Sequence, residues 1–251
     1  MENLSIVIIT FNEEKNIERC ILSVKKIADD IVVLDSNSTD QTIEICEKLG
    51  ARVFSQKFLG HIEQKNCAIS FAKFPFILSL DADEAVDEEL KTEILKIKQN
   101  KTADGYIINR YNNYCGKWIR HGAWFPDHKL RLWDSTKGKW AGLNPHDKFE
   151  LISNSKSLML KGNILHWSYS TLEEHKNKIE SFSTIAAKAY FLQGKRSSQI
   201  RILFSPIFRF IKDYFLRFGF LDGSLGWFIA SLTFKEIKLK YKKLLDIQNE
   251  T

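Results

Sequence analysis

Short, almost wholly apolar runs alternate with segments of helical spacing through the first hundred residues, and few folds accept that pattern. Leu4–Thr10 (LSIVIIT) is a compact β-branched run, and Glu14–Lys26 then places Ile17, Ile21 and Val24 at helical intervals. Ile31–Leu34 is a second apolar run. A helical Thr42–Leu49, a short strand at Ala51–Phe54, a helical Ile62–Ala72 and a fourth strand, Phe76–Leu80 (FILSL), follow. Asp87, Glu88 and Glu89 open an amphipathic helix carried by Leu90, Ile94 and Ile97, acidic residues suiting its first turn. Strands apolar on both sides need cover on both sides, and helices between successive strands make those strands parallel. The spacing predicts an α/β fold on a mostly parallel sheet with helices on both faces.

Ligands of such sheets sit beyond the carboxyl ends of the strands. Those ends read Thr10-Phe11-Asn12-Glu13, Asp35-Ser36-Asn37-Ser38-Thr39-Asp40 and Asp81-Ala82-Asp83-Glu84. No GxGxxG follows the first strand and no GxxxxGK[ST] occurs, which removes the main support for a nicotinamide dehydrogenase or a P-loop NTPase. Asp81 and Asp83 stand two residues apart at the mouth of a buried strand, where both can face a cation. Mg2+ or Mn2+ takes hard oxygen ligands and keeps substrate phosphate oxygens in its shell. The same two acids would equally serve as solvated loop residues or as a helix cap. Asp35 or a hydroxyl beside it can hold a ribose or base, while one of the Ser or Asp residues caps the next helix.

From about Gly105 to Trp167 the chain is aromatic and irregular, with strands expected at Tyr106–Ile108 and Lys129–Trp133. Trp118, Trp124, Trp140 and Trp167 invite sugar stacking, although large aromatic side chains more often serve packing. His166 reads as structural and His121 as undecided. Helical spacing returns from Leu172 to Phe191.

Charge is unevenly placed. Residues 1–194 carry 26 Lys+Arg against 26 Asp+Glu, whereas 195–251 carry 11 against 5, so the net charge of +6 belongs to the last quarter, which also holds eight of eighteen Phe. Wound as a helix from Ile200, this segment puts Arg201, Ser205, Arg209, Lys212, Asp213 and Arg217 on one half. Leu203, Phe204, Ile207, Phe208, Phe210, Ile211, Tyr214, Phe215 and Phe218 take the other half. Pro206 is expected to break or kink that helix near its start. After Gly219–Gly223 comes a short apolar run, then five lysines between Lys235 and Lys243. A wide aromatic face beside cations is what an in-plane membrane helix needs, and the face would otherwise pack on the protein or on a second copy. No nucleic-acid-binding motif accompanies the basic residues, so nucleic acid is not expected as a partner. Neither a signal peptide nor a spanning stretch is recognised, and Cys20, Cys46, Cys67 and Cys115 form no CxxC pair. A thiolate zinc site is thereby ruled out, and a cytoplasmic protein, peripheral on the inner membrane face, is expected.

Taken together, the motifs LSIVIITFNEEKNIERCILSV, DSNSTDQT, Gln64-Lys65-Asn66 and FILSLDADE resemble those of the family 2 glycosyltransferases, inverting enzymes with a nucleotide-sugar-binding GT-A-like domain. LDADE, Pro145-His146-Asp147 and Gly219-Phe220-Leu221-Asp222-Gly223 are similar, more narrowly, to the branch of lipopolysaccharide inner-core β-1,4-glucosyltransferases.

The resemblance implies a donor site of Thr10, Phe11, Glu13, Asp35, Lys65 and Asp81, with Mg2+ or Mn2+ on Asp83 and Asp81 neutralising the departing diphosphate. The second motif departs from the family pattern: many members carry two adjacent acids where Ser36 follows Asp35, which leaves the nucleotide open, with a UDP-sugar favoured. Inverting transfer needs one general base for the acceptor hydroxyl. Related sequences place Glu after His where this chain has His146-Asp147, so Asp147 is the candidate, the alternative being a strand-end salt bridge to Lys148 or Arg131. His146 and Arg131 are possible acceptor or phosphate contacts, Arg131 also reading as part of a solvated strand face. The implied reaction moves a hexose from a nucleoside diphosphate sugar to a lipid-linked saccharide at an anionic membrane surface. Three regions are expected: a nucleotide-sugar-binding half over 1–104, an acceptor-side half over 105–170 and a helical, membrane-associating region over 171–251. The rival readings are an inactive membrane-associated nucleotide-sugar-binding protein and a sugar nucleotidyltransferase. The latter usually has a Gly-rich basic loop where this chain has Thr10-Phe11-Asn12-Glu13-Glu14.

Overall fold

A computed structural model of the chain describes residues 1–143 and 146–250, the side chains of Leu143 and His146 excepted. The elements run β1 (Leu4–Thr10), α1 (Ile17–Val24), β2 (Asp30–Asp35), α2 (Thr42–Lys48), β3 (Arg52–Ser55), α3 (His61–Ser70), β4 (Phe76–Asp81), β5 (Glu84–Val86), α4 (Glu88–Gln99), β6 (Gly105–Tyr114), β7 (Lys117–Trp118), β8 (His128–Asp134), β9 (Gly138–Leu143), β10 (His146–Leu151) and β11 (Ser157–Tyr169). Three long helices follow: α5 (Leu172–Leu192), α6 (Gln199–Ile211) and α7 (Gly223–Asn249). The chain divides into two units, Met1–Tyr111 with Asp127–His166, and Asn112–Pro126 with Trp167–Thr251.

The first unit is the α/β body. Its sheet runs β3-β2-β1-β4-β8-β6-β11-β5. The first four strands are parallel, with Ile8 of β1 opposite Val33 of β2 and Leu80 of β4. β8 then joins β4 antiparallel, β6 joins β8 antiparallel, and β5 lies antiparallel to β11. Alternation along β1 explains the double cover. Leu4, Ile6 and Ile8 pack with Ile17, Ile21 and Val24 of α1 and Leu90 and Ile94 of α4, whereas Val7 joins the opposite cluster with Ala68 of α3, Trp133, Trp140 and Phe149. On that second face the cover is shared between α3 and the β9–β10 hairpin, which forms a separate two-stranded sheet. The carboxyl ends of β1, β2 and β4 thus share one edge, the place where the sequence pattern puts a ligand.

The second unit is mainly helical. Tyr114, Ile119 and Ile229 form its small buried cluster, with Trp124, Tyr169 and Leu225 packed on it. α7 packs along both α5 and α6. Pro206 does not break the helix: it lies inside α6, which continues to Ile211 before a π-helical turn at Lys212–Leu216. The ring fixes φ at a helical value, so the helix proceeds with one backbone donor fewer. Two glycines let α7 begin against backbone. A Cβ on Gly226 would stand 1.9 Å from the Gly219 carbonyl oxygen, and one on Gly219 would stand 2.6 Å from that of Asp213. Asp222 fixes the same segment, accepting the backbone N–H of His121 at 2.8 Å and of Arg120 at 3.2 Å. Not all of the late lysines are solvated. Lys243 reaches Thr184 Oγ1 at 2.7 Å and Ser183 Oγ at 2.9 Å on α5, and Lys240 lies 4.2 Å over the Tyr190 ring.

A buried Tyr114–His175 pair, Tyr114 Oη to His175 Nδ1 at 2.8 Å, gives this unit a pH dependence. Burial, then the Lys178 charge, lowers His175 from 6.5 to about 4. The unfolded chain therefore takes a proton as pH falls through 6.5, and the folded chain only near 4. The contribution to stability is complete above pH 6.5 and is lost as pH falls towards 4, amounting to about 3 kcal/mol. Urea unfolding at pH 7.5 and 4.5 should show this loss, and His175→Gln, which keeps an acceptor for the Tyr114 hydroxyl, should abolish it.

Candidate active site

The loops after β1 and β2 are laced together before any side chain reaches outward. Asn12 adopts a left-handed backbone, φ 52°, and its side-chain oxygen accepts the Thr39 N–H at 2.8 Å. In return Ser38 Oγ accepts the Asn12 N–H, and Thr42 Oγ1 accepts the Glu13 N–H, both at 2.8 Å. Asp35 is buried and folds back on its own loop, accepting the Ser38 N–H at 2.7 Å and the Ser38 hydroxyl. Asp40, one residue ahead of the α2 N-cap Gln41, accepts the Thr42 N–H at 3.1 Å. Thr10 is buried with a hydroxyl that lacks a hydrogen-bond partner among the described residues, and Phe11 stands 56% exposed. These residues shape a fixed cradle with one exposed ring at its rim.

The third motif connects three parts of the unit through successive residues of α3. Gln64 Nε2 donates to Ser36 Oγ at 3.0 Å. Asn66 clasps the β9–β10 hairpin, donating to the Trp140 carbonyl at 2.9 Å and accepting the Trp140 N–H at 3.1 Å. Between them Lys65, with its side chain 5% exposed, sets its ammonium 2.7 Å from Asp147 Oδ2 and 3.2 Å from Asp81 Oδ1. The ring of Trp140 lies 4.4 Å from the same nitrogen. Asp147 sits on β10 opposite Gly142, so the hairpin clasp brings it to Lys65.

Arg131, on β8, is a second buried cation. Its Nη2 lies 2.9 Å from both Asp81 Oδ2 and Glu84 Oε1. Glu84 is wholly buried, also accepts the Asp81 N–H at 2.9 Å, and has Arg110 Nη1 at 3.7 Å. Arg110 in turn pairs with Asp127 at 2.8 Å. Burial alone would raise Asp81, but the Lys65 and Arg131 charges outweigh it and hold that carboxyl well below its ordinary value. Burial likewise opposes the charge on Arg131, and Glu84 and Asp81 together raise it further.

Lys65, Asp81, Arg131 and Asp147 form one cluster in the first unit. Arg131 is not a solvated strand residue: it is 3% exposed and engaged with Asp81 and Glu84. Asp147 pairs with Lys65, while Lys148 pairs with Glu150 at 2.9 Å. Asp83 lies apart from that cluster, 3.2 Å from His166 Nε2. Pro145 and the His146 side chain lie outside the described residues. Trp140 packs at 4% exposure against Trp133 and Phe149, as support under Lys65. Glu84, Arg110 and His166, none of them a site candidate in the sequence, also contact this group of residues. Glu84 was visible as the last acid of LDADE, whereas His166 reaches Asp83 only because β11 pairs with β5 and sets His166 opposite Glu84.

Asp81 Oδ1 is a buried oxygen without an aligned hydrogen bond, since the Lys65 ammonium beside it stands off the bonding direction. An orphaned carboxylate oxygen two residues from a second carboxylate suits a hard divalent cation that takes its other ligands from phosphate and water. Among the described residues no three His, Cys, Asp or Glu side chains converge as a cage of their own.

The glycosyl transferase family 2 model matches residues 5–153, which include every acid of this cluster. The chain belongs to that family. An uncharacterized glycosyltransferase of Rickettsia typhi is 32% identical over 99% of this chain and 92% of its own length. The lipopolysaccharide core biosynthesis glycosyltransferase LpsC of Rhizobium meliloti is 27% identical over 92% of this chain and 87% of its own. Among solved structures, S. aureus TarS 1–349 in complex with UDP superposes with a TM-score of 0.51 at 15% identity, covering 99% of this chain and 92% of that one. The family 2 chain is a glycosyltransferase with the GT-A fold.

Removing one partner from a buried ion pair leaves the other charge uncompensated, which costs about 3–5 kcal/mol. Arg131→Met should therefore lower the unfolding free energy by an amount of that order, read from urea denaturation. Lys129→Met, on the 41% exposed cation of the same strand, should be close to neutral.

Proposed function

We propose that this glycosyltransferase moves a hexose, with inversion, from a nucleoside diphosphate sugar to a lipid-linked saccharide. A UDP-sugar is the favoured donor, and a lipopolysaccharide core or surface-polysaccharide precursor the favoured acceptor. The single observation behind this reading is one buried ammonium, Lys65, held between Asp147 at 2.7 Å and Asp81 at 3.2 Å. That arrangement sets a carboxylate on the hairpin within reach of the strand end where a donor would lie. The likeness to LpsC, a lipopolysaccharide core enzyme by name, supports the acceptor class.

Each residue takes a role that its position supports. Thr10, Phe11, Glu13 and Asp35 belong to the laced loops and take the nucleoside. Asp83 and Asp81 would hold Mg2+ or Mn2+, which when bound neutralises the diphosphate as it leaves. His166 orients Asp83. The acceptor hydroxyl oxygen bonds to the anomeric carbon while the bond from that carbon to the phosphate oxygen breaks, and the electron pair leaves with the nucleoside diphosphate. The hydroxyl proton passes to the Asp147 carboxylate, which Lys65 holds in place. Lys65 is also the cation within reach of the diphosphate. An acceptor anchored in lipid would place the reaction at the cytoplasmic face of an anionic membrane, with the protein peripheral there. No helix among the described residues is long and apolar enough to cross a membrane.

Calorimetric titration with UDP, GDP, CDP and ADP, each with and without Mn2+, tests the donor site. One nucleotide should bind in a metal-dependent way, and Asp83→Asn should lose the metal-dependent part. Binding of none by the folded protein would sink the donor assignment. Asp147→Asn should bind the same nucleotide normally and transfer sugar about 10²–10⁴-fold more slowly. Parental transfer by that variant would remove Asp147 as the base.

A further inference from the structure

The outer face of α6 has no part in the transfer chemistry, yet it is the most unusual surface of the second unit. Ile200, Leu203, Phe204, Ile207, Phe208 and Ile211 recur at intervals of three and four residues, and all are exposed, Ile200 by 70% and Phe208 by 66%. Phe215 and Phe218 extend the stripe through the following turn at 53% and 56%. The opposite side of the helix contains Pro206 and Asp213, both buried, with Ser205 and Arg209 half-buried. Asp213 is ion-paired there with Arg209 and Arg217.

A helix that merely covers a protein body turns its apolar stripe inward. α6 and the turn that continues it do the reverse, taking the Asp213 carboxylate in and leaving phenylalanines out. The arrangement is held in place. α7 meets the Gly219 backbone at Gly226, Phe218 is fixed in a left-handed conformation at φ 58°, and Asp222 clasps the backbone of residues 120 and 121. Scattered exposed apolar residues are ordinary, but a contiguous face of this width marks a contact surface.

We infer that this face docks in plane on an anionic lipid bilayer. Charge selects that occupant over a second copy of the chain. The last 57 residues carry 11 basic against 5 acidic residues. Arg201 and Arg217 are exposed on the helix and turn that carry the stripe, and Lys235, Lys238 and Lys242 are exposed along α7. Protein interfaces deplete lysine, whereas a surface of anionic headgroups attracts it. Apolar residues entering the acyl boundary with cations at headgroup level give the amphipathic contact that membrane-surface helices make. The inference gives the membrane location proposed above a named surface, and it stands on the exposed face itself.

The test uses the full chain and vesicles of phosphatidylcholine with and without one third phosphatidylglycerol. The parent should sediment with the anionic vesicles at least about tenfold more tightly than with the neutral ones. Phe204→Asp/Phe208→Asp, at two exposed positions, should keep the parental circular dichroism and melting temperature and bind about tenfold or more weakly. Lys238→Glu/Lys242→Glu should weaken binding to anionic vesicles alone. Failure of the parent to sediment, or unchanged binding by the folded phenylalanine variant, would overturn the inference. A parental dimer that the same variant dissociates, with neither form captured by vesicles, would also overturn it and assign the face to a second copy. Sedimentation reads binding without turnover, so its failure leaves the transfer reading standing.

Discussion

Two cations taken out of water decide how the ligand edge of this sheet is built. Lys65 and Arg131 are 4% and 3% exposed, and burial at that depth is tolerable only with carboxylates in contact. Asp81 serves both, Glu84 serves Arg131 and Asp147 serves Lys65. The acids proposed for the transfer chemistry, Asp81 and Asp147, are thus also counter-ions that make this packing possible. A carboxylate fixed by a buried cation has little freedom of rotation, so Asp81 and Asp147 are oriented before any substrate arrives. Trp140 completes the arrangement from below with an aromatic face toward the Lys65 ammonium.

The second unit uses polar contacts differently. It buries few large side chains and depends on local devices: a left-handed phenylalanine, two glycines in backbone contact and an aspartate gripping two successive N–H groups. These are directional and short-range, and they hold a segment in place without asking it to hide its apolar side chains. That is how an aromatic face stays both rigid and open to its surroundings.

The α/β body was legible because each parallel strand is apolar on both faces and ends at a recognisable turn. Leu4–Thr10 is β1 residue for residue, and Phe76–Leu80 falls one residue short of β4. The antiparallel continuation of the sheet was less so, since β6 buries Asn112 and Asn113 and β11 buries only Ile164 among half-buried and exposed neighbours. Asp81 and Asp83 could be singled out because they are adjacent to a strand end. Their partners could not. Arg131 is separated from Asp81 by 50 residues and Lys65 from Asp147 by 82, and no periodicity reports such pairings. The alternative of a solvated strand arginine at 131 gives way to a buried one for the same reason: a charge reads as solvated until its counter-charge is located. At Pro206 the apolar spacing on either side was the better guide to continuity, since the helix runs through it without a break.

The clasp between α3 and the β9–β10 hairpin also sets an order of assembly. Its hydrogen bonds join residues 74 positions apart, and the Lys65–Asp147 contact spans 82, among the longest closures in the body. Pairing of β1 with β4 already spans a comparable length of chain, Leu4 meeting Phe76, so it is the order of synthesis rather than loop entropy that puts the clasp later. During synthesis the nascent chain therefore holds Lys65 and Asp81 on a formed sheet well before residue 147 has been translated. With Lys65 and Arg131 already beside it, Asp81 does not wait for the hairpin to find its counter-charges. Asp147 follows β1, β2, β4 and β8 in the chain, so the ribosome supplies those strands before the carboxylate on the other side of Lys65.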